Sequence, residues 1–252
     1  MAFEIEITSY LSDMTRERYL NRINDTSKLL KTSSRDYLTY KSFLPDLKQA
    51  IIDYGKGKVL DIGCGNKPYK SWFNNIEAYT GVDIVQSSLN RVDILCEASK
   101  IPLGNAQFDT VFCTQVIEHL EDYQGMIDEA FRLLNKGGNI ILSGPFYWHI
   151  HEKPYDFYRF TEYGFRCILE KSGFKVLDVK ANGGAWATLG LMINHTLFFN
   201  NPKSSKSIKF IKLVFQKLKL QRIVNKIFSY LDKKDYNTIN AINYVVVAKK
   251  EG

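Results

Sequence analysis

The 252-residue chain has four cysteines, Cys64, Cys96, Cys113 and Cys167, and none is paired in a C-x-x-C spacing. That pattern suggests neither a disulfide framework nor a zinc site, and reads as reduced, mostly buried thiols. No run of apolar residues approaches the ~20 that a spanning helix needs. No segment repeats at a fixed period, and none has a disordered composition. The opening Met1-Ala2-Phe3-Glu4-Ile5-Glu6-Ile7 lacks the basic and apolar regions of a signal peptide. These absences together set the expectation of a cytoplasmic protein. What is present is 45% apolar and 13% aromatic residues, enough for one sizeable core in a chain of one-domain length.

Acids are scarce in one place only. Residues 203–234 hold ten Lys/Arg against a single acid, Asp232, whereas the rest of the chain has 24 basic and 26 acidic residues. The formal charge of +7 is therefore local, and a general affinity for nucleic acid does not follow from it. Within the stretch, Lys209, Lys212, Gln216, Lys219 and Lys226 follow helical spacing. Ile208, Ile211, Phe215, Leu218, Ile223, Ile227 and Leu231 supply apolar surface. Such a segment can pack on the sheet with its lysines in solvent, cover a cleft, join two copies, or lie at the inner face of a membrane as a peripheral contact.

Periodicity divides the chain into residues 1–56, N-terminal helices in the role of a cap or lid, and 57–252, an α/β domain with a basic helical insert at 200–238. The stretch 13–54 reads as two helices, with Ser33-Ser34 between them and Pro45 bending or opening the second. Strands are expected at 58–62, 78–84, 109–114, 139–143, 175–180 and 243–248. Helices are expected to close at 72–75 and to span 123–134 and 160–172, the middle one ended by Lys136-Gly137-Gly138. This alternation implies βαβ units and a mainly parallel sheet.

The strongest motif is Val59-Leu60-Asp61-Ile62-Gly63-Cys64-Gly65-Asn66, a strand feeding a turn where two glycines permit close approach of a ligand. Pro68 stands where a dinucleotide fingerprint has its third glycine, which turns the reading away from a pyrophosphate. About 20 residues on, Tyr79-Thr80-Gly81-Val82-Asp83-Ile84 sets a carboxylate at a strand end, placed to accept from a ribose diol. With Phe108-Asp109-Thr110-Val111-Phe112-Cys113, Val116-Ile117-Glu118-His119-Leu120 and Leu133-Leu134-Asn135-Lys136-Gly137-Gly138, these residues resemble the class I S-adenosylmethionine-dependent methyltransferases, in their ubiquinone/menaquinone-type pattern. The resemblance covers roughly 57–180 plus the last strand. It implies a Rossmann-like seven-stranded sheet, helices on both faces, with the last strand antiparallel and the helical insert before it. It also implies S-adenosyl-L-methionine as donor, S-adenosyl-L-homocysteine as product, and no metal. By the same resemblance Asp61, Gly63 and Gly65 surround the methionine part and Asp83, with Ile84 beside it, binds the ribose. Glu97 and Ala98 face the adenine, and Gln115 lies near the sulfonium.

The acceptor side is expected in 144–161, after the fifth strand, where open α/β sheets place their ligands. His149 and His151 fall two residues apart there, and imidazole, with an unperturbed pKa of ~6.5, is a natural proton acceptor. His119 is the third candidate. The pair His149–His151 lacks an evident third ligand, so a metal is not expected. Tyr147, Tyr155 and Arg159 are candidates to line a sugar or phosphate pocket, and Pro154–Thr161 resembles a branch met in bacterial surface-glycan biosynthesis. Thr114-Gln115-Val116-Ile117 stands where methyltransferases of base amines carry an Asn/Asp-Pro-Pro-Tyr/Phe motif, which counts against that chemistry. The leading expectation is an O-methyltransferase of a sugar or phosphate-bearing group of a capsule or lipopolysaccharide precursor, an anionic acceptor, with histidine as base. The alternatives are methylation of a quinone or lipid-like molecule, and a non-catalytic nucleic-acid-binding protein that uses the basic segment.

Overall fold

Side chains on a strand alternate between faces, and the strand residues here bury both alternations. Leu60, Ile62, Val111, Cys113, Ile140, Leu142 and Val246 join one core cluster. Their neighbours Val59, Phe112, Ile141, Val245 and Val247 join another on the opposite face. In the computed structural model, which describes residues 26–199 and 201–251, these stretches form one sheet. Its strands are β1 (Lys56–Ile62), β2 (Asn75–Asp83), β3 (Ile94–Leu95), β4 (Phe108–Thr114), β5 (Leu134–Pro145), β6 (Phe174–Asn182) and β7 (Asn243–Lys250). The order is β3-β2-β1-β4-β5-β7-β6. β1 to β5 pair in parallel, and β7 runs antiparallel to both β5 and β6, as expected for the last strand. Strand order reverses between β1 and β4, so a crevice opens at their C-terminal ends.

Six helices of ten residues or more follow in chain order among the described residues: α1 (Tyr37–Tyr54), α2 (Tyr123–Leu133), α3 (Glu162–Lys171), α4 (Ala185–Phe198), α5 (Lys206–Lys217) and α6 (Gln221–Lys234). α2 and α3 cover one face of the sheet through Met126, Ile127, Leu133, Phe165 and Leu169. α1 covers the other with Phe43, Leu47 and Ile51, and Pro45 lies inside it without ending it. The first helix expected within 13–54 lies largely outside the described residues, which begin with a single turn at Thr26–Leu29.

Two sequence expectations are corrected, and one element was missed. No α-helix closes at 72–75; only a 3₁₀ turn, Lys70–Trp72, separates β1 from β2. Lys67 takes a left-handed φ of 54°, Pro68 follows, and Tyr69 and Phe73 turn inward onto the Phe112 ring at 6.0 and 5.4 Å. Lys136-Gly137-Gly138 does not end α2 but lies inside β5, where pairing with β4 skips between Phe108 and Thr110. The two-residue β3 was not anticipated.

The basic insert is tied into the fold by its exceptions. Asp232, the one acid of that stretch, accepts from the N–H groups of Gly184 and Ala187 and so caps the N-terminus of α4. At the other end of α4, Lys212 is buried and donates to the Phe199 carbonyl, while Gln216 donates to that of Leu197. Opposite charges thus meet the two ends of one helix dipole. Lys212 therefore leaves the solvent-facing set in which the periodicity had placed it. Phe215 is buried, whereas Ile208, Ile211, Leu218, Ile223 and Ile227 are exposed among the described residues. No helix of the described residues is long and apolar enough to cross a membrane.

Asn225, fully buried in α6, donates to the Thr32 and Ser34 carbonyls at 2.8 and 2.7 Å and accepts from Asn194 at 2.9 Å. Asn225→Leu removes the bond to the Thr32 carbonyl and leaves the Ser34 carbonyl and Asn194 with only their bonds to the Tyr37 N–H and the Arg35 carbonyl. A destabilisation of about 3 kcal/mol is expected in urea unfolding, from the cost of unmade buried hydrogen bonds; a loss below ~1 kcal/mol would mean that α6 is not anchored there.

Candidate functional site

The crevice is a cavity of about 480 Å³ at the C-terminal ends of β1, β2 and β4. Its floor is the glycine turn. Gly63 has φ +70° and donates to the Val82 carbonyl at 2.9 Å; a Cβ on it would sit 2.3 Å from Val116 Cγ2, so only glycine fits. The Gly65 N–H then donates to Asp83 Oδ2 at 3.1 Å, while Asp83 Oδ1 accepts from the Ile84 N–H at 2.8 Å. Turn and β2 are in this way locked together around one carboxylate. Asp61, Gly63, Asp83, Ile84, Glu97, Ala98 and Gln115 all line the cavity; Gly65 supports it from behind through Asp83. Gln115 holds a left-handed φ of 56° at the end of β4, and its amide donates to Ser143 Oγ and Asn243 Oδ1, which binds the ends of β4, β5 and β7 together.

Burial pushes the Asp61 carboxyl up to about 7, with the nearby Asp83 charge adding to the rise and a 2.7 Å hydrogen bond from Tyr79 Oη opposing it. Among the described residues no lysine or arginine lines the cavity, and no helix N-terminus follows the glycine turn. The site therefore suits a ligand with a positive centre and a diol, and offers a pyrophosphate nothing. S-adenosylmethionine, with its sulfonium and ribose, fits this donor set.

At the other end of the cavity stand His119, Glu121, Asp122, Glu152, Tyr155 and Phe157. The loop after β5 is docked there by its backbone, since Phe157 and Tyr158 donate to the Glu118 carbonyl at 2.9 and 3.3 Å. Of the three candidate histidines only His119 lines the cavity. His151 touches His119, ring centroids 4.6 Å apart, and its Nδ1 faces Asp156 Oδ2 at 3.2 Å. Burial, with the neighbouring His119, brings the His151 imidazole down to about 4. His149 is wedged among Trp148, His195 and Phe199, and burial lowers it to about 3. Both are neutral near pH 7, and neither lines the cavity that His119 enters.

Arg159 is engaged within the loop, outside the residues that line the cavity. Its guanidinium grips Asp156 at 2.6 and 2.9 Å and reaches the Trp148 carbonyl, which holds the loop together. Tyr147 lies outside the main cavity, stacked near His195, while Tyr155 lines it as expected. Sequence reasoning missed Asp156, Glu152 and Glu118. Asp156 organises His151 and Arg159, Glu152 lies on the wall, and the Glu118 carboxyl is raised to about 7 by burial. The signal for Glu118 was its place beside His119; nothing in the spacing linked it to His151. The absence of a third ligand holds for the His149–His151 pair alone, because Glu118, His119 and His151 converge within 4.8 Å.

The Tyr79 hydroxyl is what keeps Asp61 from rising further. Tyr79→Phe is expected to move the Asp61 carboxyl above about 7 in a ¹³C carboxyl NMR titration; an unchanged midpoint would remove the hydrogen bond from the account.

Comparison with known proteins agrees with this geometry. A family model for a methyltransferase domain matches residues 60–142. Over 112 residues the chain is 32% identical to the uncharacterized protein MJ1123 of Methanocaldococcus jannaschii, covering 42% of this chain and 52% of that protein. Over another 112-residue match it is 31% identical to the ubiquinone biosynthesis O-methyltransferase of Psychrobacter cryohalolentis, covering 38% and 44%. The chain thus spans about half the length of these relatives. Among solved structures, the partner of the Haloferax volcanii Trm112 methyltransferase activator shares the fold, with a TM-score of 0.56 at 14% identity over 94% of this chain and 96% of that one. The matched segment carries the glycine turn, Asp83 and the Glu118-His119 pair, on a seven-stranded sheet with an antiparallel last strand; residues 60–142 are similar to a methyltransferase domain, and the sheet around them has the fold of the class I S-adenosylmethionine-dependent methyltransferases.

Proposed function

We propose that the chain is an O-methyltransferase that acts on a hydroxyl of a small polyol, in the class of a sugar of a bacterial surface-glycan precursor. The observation that carries this reading is the continuity of the cavity. Its donor end is walled by Asp61, Asp83 and Glu97, and its far end by His119, Glu152 and Tyr155. When bound, S-adenosylmethionine supplies a methyl carbon made electrophilic by the sulfonium. Asp83 orients the ribose, ionised Asp61 faces the methionine end, and Gln115 marks the boundary with the acceptor. The acceptor oxygen forms its bond to the methyl carbon as the carbon–sulfur bond breaks and the electron pair stays on sulfur. The hydroxyl proton leaves toward the His119–Glu152 end. Holding the oxygen in line supplies much of the acceleration.

Among the described residues the lining has acids at its acceptor end and no cationic side chain. A neutral hydroxyl compound suits that wall better. A phenolic hydroxyl is the second reading, favoured by Tyr155 and Phe157 in the wall and by the likeness to a ubiquinone biosynthesis O-methyltransferase.

Calorimetry tests the donor site. Asp83→Ala is expected to weaken S-adenosylmethionine binding tenfold or more, ~1.4 kcal/mol; no binding by folded wild type would end the proposal. Affinity should also depend on pH. A cationic donor favours ionised Asp61, whose midpoint of about 7 means that binding releases a proton at lower pH. Kd is expected to rise about tenfold per unit as pH falls below that midpoint, and to level off above it. Asp61→Asn should bind weakly with a flat profile; a flat wild-type profile would refute the coupling. Turnover on a panel of sugars and catechols, read as S-adenosylhomocysteine formed, separates the two acceptor readings. His119→Ala is expected to lower turnover by about 100-fold with donor affinity unchanged.

A further inference from the structure

Around His119 the ligand atoms of Glu118, His119 and His151 lie within 4.8 Å of one another. His119 Nδ1 is engaged by the Tyr155 carbonyl at 2.7 Å, and His151 Nδ1 by the Asp156 carboxylate at 3.2 Å. Each contact fixes the proton on Nδ1 and leaves the Nε2 lone pair free for a ligand, the arrangement that second-shell carbonyls and carboxylates impose on metal-binding imidazoles. His119 Nε2 lies 3.8 Å from Glu118 Oε1 and 3.9 Å from Glu152 Oε2, too far for hydrogen bonds. Glu118 is 1% exposed, and its Oε2 has no partner. A buried carboxylate oxygen left in that state is costly, and a cation satisfies it.

The spacing suits an ion. Ligands bonded at ~2.1 Å stand roughly 3.0 to 4.2 Å apart, from adjacent to opposite positions. The pairs at 3.8 and 3.9 Å fall inside that range, and the full set of Glu118, His119 and His151 lies within 4.8 Å, so a small side-chain rotation closes it. Two imidazoles and a carboxylate, with open positions remaining, form a donor set for a first-row divalent metal rather than for magnesium or calcium.

We propose that Glu118, His119 and His151, with Glu152 as a fourth donor from the loop, bind one divalent first-row metal ion at the acceptor end of the cavity. The inference rests on the proposed O-methylation for its purpose. An ion there coordinates the acceptor hydroxyl, lowers its pKa and holds it before the methyl carbon, the hydroxyl proton passing to solvent. It explains how an acid-lined wall takes an oxygen nucleophile. With the ion bound, His119 serves as a ligand, and the metal replaces it in activating the hydroxyl.

Metal-stripped full-length protein titrated with Co²⁺ tests this without any acceptor. Wild type is expected to develop visible d–d absorption saturating at one ion per chain and displaced by Zn²⁺. Glu118→Gln and His151→Ala should each weaken the affinity tenfold or more, with far-ultraviolet circular dichroism and S-adenosylmethionine binding retained. His149→Phe, outside the set, should bind Co²⁺ as wild type does. Absence of absorption and of calorimetric binding with wild type, or Co²⁺ affinity that survives both ligand substitutions, overturns the proposal. Because the assay requires no methyl transfer, its failure leaves the O-methylation reading standing. Equally, a metal-binding protein inactive on every hydroxyl acceptor would overturn that reading alone.

Discussion

The contact between the Gly65 N–H and the Asp83 carboxylate, across the tips of β1 and β2, is the constraint on which the donor end depends. It requires the chain to leave β1 through a conformation with no room for a side chain at Gly63, and to double back close enough to share the Val82 carbonyl. Once that is done, Asp61 and Asp83 are both buried at neighbouring strand ends, and their mutual repulsion becomes a property of the fold. A cationic ligand relieves it; an anionic one would add to it.

The acceptor end is organised by different means. Its loop has no regular secondary structure, so its side chains are placed by polar anchors: Asp156 gathers His151 and Arg159, and the Glu118 carbonyl takes two N–H groups from the loop. All four histidines of the chain meet in one run of rings, His119 to His151 to His149 to His195, with Asp36 at the far end. The run begins in the cavity and ends in the core between α1 and α4.

The strands and the donor motif were legible in the sequence because their signals are local. Alternation, β-branched runs and a glycine turn need only a few adjacent residues to be read. The expected helix at 72–75 failed because Tyr69 and Phe73 bury themselves better on Phe112 than a helical turn would allow, a tertiary preference that periodicity does not carry. β3 escaped notice because two residues, one of them the exposed Leu95, make no pattern. At the acceptor end the near pair His149 and His151 attracted attention, but the chain turns one into the core and the other toward His119, 32 residues earlier. The insert showed the opposite case: its charge count was plain, while the work of Asp232 and Lys212 at the two ends of α4 depended on a packing partner.

The charge of the donor wall also bears on what happens after a turnover. Transfer of the methyl group removes the positive charge from sulfur, while the carboxylates of Asp61, Asp83 and Glu97 stay where they are. The spent cofactor then no longer offsets their repulsion, and Asp61 regains a reason to take up a proton. Among the described residues that wall carries no lysine or arginine, so its charge favours the cationic form of the ligand over the neutral one and couples the exchange of one for the other to proton uptake at Asp61.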